Sequence, residues 1–224
     1  DPAGVAGGDA HAGAALRGVL ALALALALAL ALAMELGMAL VMALAGVAGA
    51  APPKQATPKA TAFPANVTHF DSKYNEVTEM KGDLKNGAPM EDLSWAANSS
   101  NACWPATQNV HFRGNHVLFS TNIPPKSDMH ITVVPDDPKQ DMSIYAYTIG
   151  TTNFAVPPSL PSCVSCEAEQ KWDRPKKGKT QDHTRTIRLN AATNPYNVVI
   201  GITGPAEAKE GGFTIKVDLK TGSK

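Results

Sequence analysis

Near its C-terminal end the chain alternates without a break: Phe213, Ile215, Val217 and Leu219 fall on one side of an extended backbone, Thr214, Lys216 and Asp218 on the other. Successive side chains of a strand point to opposite faces, so this period of two specifies a strand with one dry and one wet face. Such a strand needs paired neighbours and a second layer over its dry face. Upstream runs supply them: 76–84, 116–121, 130–134, 142–149 and 184–189 read as strands bounded by Pro, Gly, Asn and Asp. The run 197–203 is rich enough in Val and Ile to be buried on both faces. Seventeen prolines and eighteen glycines suit the turns of such a fold and count against a helical bundle. The sequence therefore predicts an all-β, jelly-roll-like antiparallel β-sandwich over 74–220 with a short tail at 221–224, and very little helix after residue 66.

The first fifty residues follow another logic. From Gly18 to Ala51 the chain is apolar apart from Glu35, and its Ala/Leu alternation carries no amphipathic meaning because both residues are apolar and both favour a helix. Arg17 before the run and Ala48-Gly49-Ala50 at its end fit a secretory signal peptide, while the length fits an uncleaved membrane anchor. Residues 1–51 are thus read as an N-terminal hydrophobic helix, signal peptide or membrane anchor, with its leader. Residues 52–73, opening PPKQATPKATAFPAN, are read as a Pro/Thr/Lys-rich linker.

Charge narrows the partners. Setting aside Arg17, Asp1, Asp9 and Glu35 leaves nineteen of the twenty basic and seventeen of the twenty acidic groups in 51–224. So small and scattered an excess excludes the basic field that non-specific nucleic-acid binding needs.

Several motifs resemble the bacterial pre-peptidase C-terminal (PPC) domain family. That family ends in an aromatic followed by alternating valines, a Gly-rich turn and Gly-aromatic-Thr-aliphatic-x-Val. Here the pattern reads Tyr196-Asn197-Val198-Val199-Ile200-Gly201-Ile202, the turn around Gly204 and Gly211, and Gly212-Phe213-Thr214-Ile215-Lys216-Val217. Gly82-Asp83-Leu84 matches the family's early Gly-x-Leu, Asp141-Met142-Ser143-Ile144-Tyr145 its central strand, and Asp92-Leu93-Ser94-Trp95 loosely echoes its acidic-x-aromatic segment. The resemblance implies a secreted β-sandwich, commonly a non-catalytic appendage of proteases and other hydrolases.

Few residues point to chemistry. Cys163-Val164-Ser165-Cys166, with Cys103 as a third thiol, allows a structural disulfide, half a zinc site or a redox pair. A zinc site normally takes four ligands and a redox pair a strand-then-helix setting, whereas Pro157, Pro158 and Pro161 place this pair in a loop, so a disulfide is expected. Its pairing, Cys163 with Cys166 or Cys103 with either, stays open. Asp136, Asp137 and Asp141 cluster in a turn between strands, where carboxylates can hold calcium or simply form a solvated edge. Tyr145 and Tyr147, with Trp172, offer an aromatic surface for polysaccharide or peptide, or else core packing. No nucleophile elbow, HExxH or phosphate loop is present. The expectation is a non-enzymatic exported bacterial module, periplasmic, cell-surface or secreted. It would contact protein or polysaccharide and meet the membrane only through residues 18–51 if these are uncleaved. The alternatives are an accessory piece of a secreted peptidase or hydrolase, and a membrane-anchored structural subunit.

Overall fold

The computed structural model describes residues 60–222, so the expected N-terminal helix and residues 52–59 of the expected linker lie outside the described residues. Within 60–222 the chain is all-β with short helical turns. Its elements are β1 (Val67–His69), β2 (Val77–Asp83), β3 (Ala88–Pro89), α1 (Ser94–Ala97), β4 (Asn115–Ile123), β5 (Ser127–Pro135), β6 (Ser143–Gly150), β7 (Ser165–Glu169), β8 (Arg185–Ala191), β9 (Tyr196–Thr203) and β10 (Gly212–Thr221). Two 3₁₀ turns, Leu84–Asn86 and Ala106–His111, complete the connections.

The strands form two sheets. One runs β1-β4-β9-β6-β7, with β3 also pairing β4, and the other runs β2-β10-β5-β8. Every pair is antiparallel except β1 with β4, which run parallel. As the alternation predicts, Phe213, Ile215, Val217 and Leu219 of β10 point into the space between the sheets. Met129, Ile131 and Val133 of β5 and Ile187 and Leu189 of β8 meet them there, against Ile144, Val198, Ile200 and Ile202 of the facing sheet. The two ends of the PPC-like pattern are paired: Gly82 lies opposite Phe213 and Asp83 opposite Gly212. A Cβ at Gly82 would fall 2.4 Å from the Phe213 ring, which is why the ring can lie across that strand.

The six-stranded sheet is dry on both faces. Leu118, Tyr145, Tyr147, Ile149 and Val199 point away from the sandwich core into a second apolar cluster, roofed by Leu93, Trp95, Trp104, Phe112 and Leu160 from the connections before β4 and before β7. β9 is buried almost throughout, as its Val/Ile content predicts.

The structure differs from the sequence reading at three places. β1 lies inside 52–73, read as linker; three residues are too few to show a period, and β1 is fixed by its parallel pairing to β4. β7 takes in Cys166 of the Cys163/Cys166 pair read as loop, and Cys163 stays outside it. The prolines end before Ser165, and Glu167 and Glu169 disguise an edge strand as polar loop. β10 continues to Thr221, into the expected tail.

Candidate binding site

The roof is fastened covalently. Cys103, six residues past the end of α1, bonds Cys166 in β7, closing a sequence separation of 63 residues, and Cys163 is the free thiol. Cys163 sits half-buried on the roof, its Sγ 3.5 Å from the Asn101 carbonyl, and burial raises the pKa of its thiol. Asn101 itself is buried and its side-chain amide donates to the carbonyls of Trp95 and Leu160, tying both roof segments together.

Beneath the roof, Trp104 stacks on Phe112 with ring centres 3.9 Å apart and planes 8° apart, and both rings lean on Tyr145. Tyr145 is fully buried, and its cross-strand neighbour is Gly201. A Cβ at Gly201 would lie 2.0 Å from the Tyr145 ring, so only glycine leaves room for it. The Tyr145 hydroxyl donates to His116 Nδ1 at 3.1 Å, while His116 Nε2–H donates to the Phe112 carbonyl at 2.8 Å. Burial lowers the pKa of His116 to about 4, the Phe112 carbonyl pulling the other way, and burial drives the Tyr145 phenol well above its ordinary range. At neutral pH the pair is uncharged, a poor match for acid–base catalysis.

This pair predicts a pH effect. His116 is uncharged when folded but titrates near 6.5 when unfolded, so between pH 6.5 and 4 the unfolded chain binds more protons. Stability is complete above pH 6.5 and falls as pH drops toward 4, by up to about 3 kcal/mol for this group. Denaturant unfolding at stepped pH will show that slope, and His116→Gln will flatten it.

A cleft of about 560 Å³ opens beside His116. It sits at a break in the outer edge of β4, because β3 pairs with Asn115 and His116, β1 pairs with Leu118 to Ser120, and Val117 between them has no strand partner on that side. Met90, Leu118 and Pro158 give the cleft an apolar lining, and Asn66, Glu91 and Asp92 a polar, acidic one. Gly87 makes the notch possible: a Cβ there would lie 2.2 Å from the His116 carbonyl oxygen. Asp92 accepts from the Ser94 amide, and hydrogen bonds from the Ser94 side chain and backbone lower the pKa of its carboxyl.

Other expected site residues lie apart from this cleft. Of the two readings the sequence allows for Tyr145 and Tyr147, an aromatic surface or core packing, the structure shows the second, because the roof covers the face on which they alternate. Tyr147 spends its hydroxyl on the Ala155 carbonyl at 2.9 Å. Trp172 is half-buried in the 170–184 loop, with Lys176 Nζ 4.1 Å from its ring centre and its Nε1–H donating to Glu169. Asp136, Asp137 and Asp141 do not converge. Asp136 packs on Gly212 and Asp137 accepts from the Lys139 amide. Asp141 instead faces Arg185 at 3.6 Å, His183 at 3.8 Å and Lys171 at 4.0 Å. Among the described residues, no group of three or more His, Cys, Asp or Glu is placed to share a metal ion.

One arrangement with a catalytic outline was not foreseen in the sequence. His69 Nδ1 lies 3.1 Å from Ser120 Oγ and its Nε2 lies 3.4 Å from Asp71. Ser120 is completely buried between β1 and β9, so its hydroxyl offers no approach to a substrate, and the Asp71 side chain is 85% exposed, where water screens its charge. The set ties β1 to β4.

No family model and no curated protein matches the sequence. Among solved structures, the chain is similar to PliG of Aeromonas hydrophila, a periplasmic inhibitor of g-type lysozyme, at 7% identity and a TM-score of 0.35, covering 69% of this chain and 97% of that one. It is similar to the pre-peptidase C-terminal domain of a Bacillus anthracis collagenase at 12% identity and a TM-score of 0.34, with the same coverages of 69% and 97%. A third is CorA, a surface-associated copper-binding protein of Methylomicrobium album BG8, at 12% identity and a TM-score of 0.38, covering 71% and 98%.

Proposed function

We propose that this protein is an exported, non-catalytic binding module that grips an extended segment of another protein in the notch beside Val117. The observation that carries this reading is the interrupted edge of β4, where a cleft presents apolar side chains and carboxylates together. Extended segments are bound where strand edges and apolar pockets coincide, and Glu91 and Asp92 favour a neutral or basic segment. Protein is preferred over polysaccharide because the tyrosines that would stack on sugar rings are enclosed. The Cys103–Cys166 bond supports an oxidising, extracytoplasmic compartment, and the PPC-like motifs support the same assignment.

Selection of displayed peptide libraries on the full chain tests this. Enrichment of peptides carrying a basic residue is expected, and Glu91→Lys combined with Asn66→Trp, which changes the charge and fills the rim, will abolish it. Generic peptidase and glycosidase substrates should not turn over. Turnover lost on Ser120→Ala would replace this reading with an enzymatic one.

A further inference from the structure

β2 ends its sheet, with β10 on one side and no strand on the other among the described residues. It spans seven residues, VTEMKGD, and none of them is buried. A bare edge of that length pairs readily with other strands, and lone lysines commonly serve to block it. Here the charges do something else.

The free hydrogen-bonding groups can be assigned. The Leu84 amide donates to the Gly211 carbonyl in the register that sets Met80 opposite Ile215. In an antiparallel ladder the bonded residues alternate, so Thr78, Met80 and Gly82 bond to β10. Val77, Glu79 and Lys81 turn their N–H and C=O groups outward, while Asp83, on the same side, caps the 3₁₀ turn Leu84–Asn86 and gives its carbonyl to it. Their side chains lie on the exposed outer face of the sheet, with Glu79 2.8 Å from Lys216 of β10.

We propose that β2 is a homodimerisation edge, pairing antiparallel with β2 of a second copy about a two-fold axis through Met80. In that register Glu79 of each copy lies opposite Lys81 of the other, and the outward backbone groups of both residues find partners. Shifting the pairing by two residues either way sets Glu79 against Glu79, or Lys81 against Lys81 with Glu79 against Asp83. Only the Met80-centred register makes both central pairs attractive, so the charges select it and penalise its neighbours. Met80, already partly packed on the sandwich core, meets its symmetry mate on the axis and carries the apolar layer across the junction. The two four-stranded sheets become one continuous sheet. Strand-edge contact alone buries little area, so association is concentration-dependent.

Sedimentation velocity of the full chain in mild detergent tests this. At a loading of about 100 µM the wild type should sediment as a dimer. Glu79→Lys alone and Lys81→Glu alone each turn two attractive pairs into two repulsive ones and weaken association about tenfold or more. An equimolar mixture of these two variants should dimerise, as should the charge-swapped double variant, because both restore opposite charges across the axis. That rescue separates the register from misfolding and from association through the apolar N-terminal run. A monomeric wild type, dimers indifferent to either reversal, or reversals that neither mixture nor double swap repairs would each overturn the proposal. None of these outcomes touches the notch on β4.

Discussion

Replacing Cys103 by serine should lower the unfolding free energy by about 4 kcal/mol and the melting temperature by roughly 10 °C. The disulfide spans 63 residues of sequence, long enough that reopening the loop gives the unfolded chain a large gain in conformational entropy. The loss in the folded state adds to it. Cys103 lies six residues past the end of the short α1. The Asn101 side chain and the Cys103 N–H to Ala96 carbonyl bond tie roof residues to one another, so the disulfide is the covalent tie to the sheet beside the packing of Trp95, Trp104 and Phe112 on Tyr145. Cys166→Ser should match it, whereas Cys163→Ser should change stability by less than about 1 kcal/mol, since Cys163 makes no bond of comparable consequence. Thiol titration of the denatured, unreduced chain will find one reactive group. Differential scanning calorimetry of the three variants checks the ranking, and equal losses for all three would contradict the Cys103–Cys166 pairing.

The sandwich was legible wherever one strand carried its own pattern. β10, β5 and β8 alternate because one face meets the core and the other meets water, and Arg185 could be placed on the inward face of β8 although it is charged. Its burial is relieved by donation from Nη1 to the carbonyls of Asp182 and Thr184, with Asp141 nearby; burial nonetheless lowers its pKa. The candidate site was not legible, because its determinants sit on different segments. Alternation in β6 showed that Tyr145 and Tyr147 share a face, but not that the face is roofed. The roof comes from Trp95, Trp104 and Phe112, residues in a stretch with no period of its own. The sequence allows Cys163 with Cys166 or Cys103 with either, and spacing alone could not select the Cys103–Cys166 bond, whose partners lie 63 residues apart. One signal was available. A lone Gly201 in an otherwise Val/Ile-rich run indicates a close approach, and the ring that comes close is the one hydrogen-bonded to His116.

Trp104→Ala should cost about 4 kcal/mol, comparable to losing the disulfide. Trp104 is 4% exposed and central to the roof, stacked on Phe112, edge-on to Trp95 at 5.2 Å and tilted against Tyr145 at 5.3 Å. Its indole N–H donates to Asn109 Oδ1 at 2.8 Å, so truncation empties a large volume and strands a polar partner. The rings cannot collapse into the space, because Tyr145 is fixed by His116 and Phe112 by the 3₁₀ turn beside it. Trp104→Phe keeps the stacking, loses the hydrogen bond, and should cost about half as much. Because β4, β6 and β9 contribute to both apolar clusters, roof and sandwich should unfold in one transition with an unchanged denaturant slope. Cys103 and Trp104 are adjacent and fasten the same segment, so their effects should not add. Once the disulfide is gone, the roof segment is already loosened and the ring has less packing left to lose. A Cys103→Ser/Trp104→Ala double variant should therefore fall short of the summed losses by 1 kcal/mol or more, on the order of a contacting pair. Full additivity in denaturant titrations would mean that the bond and the ring stabilise separate parts of the molecule, and that the roof is not one cooperative unit.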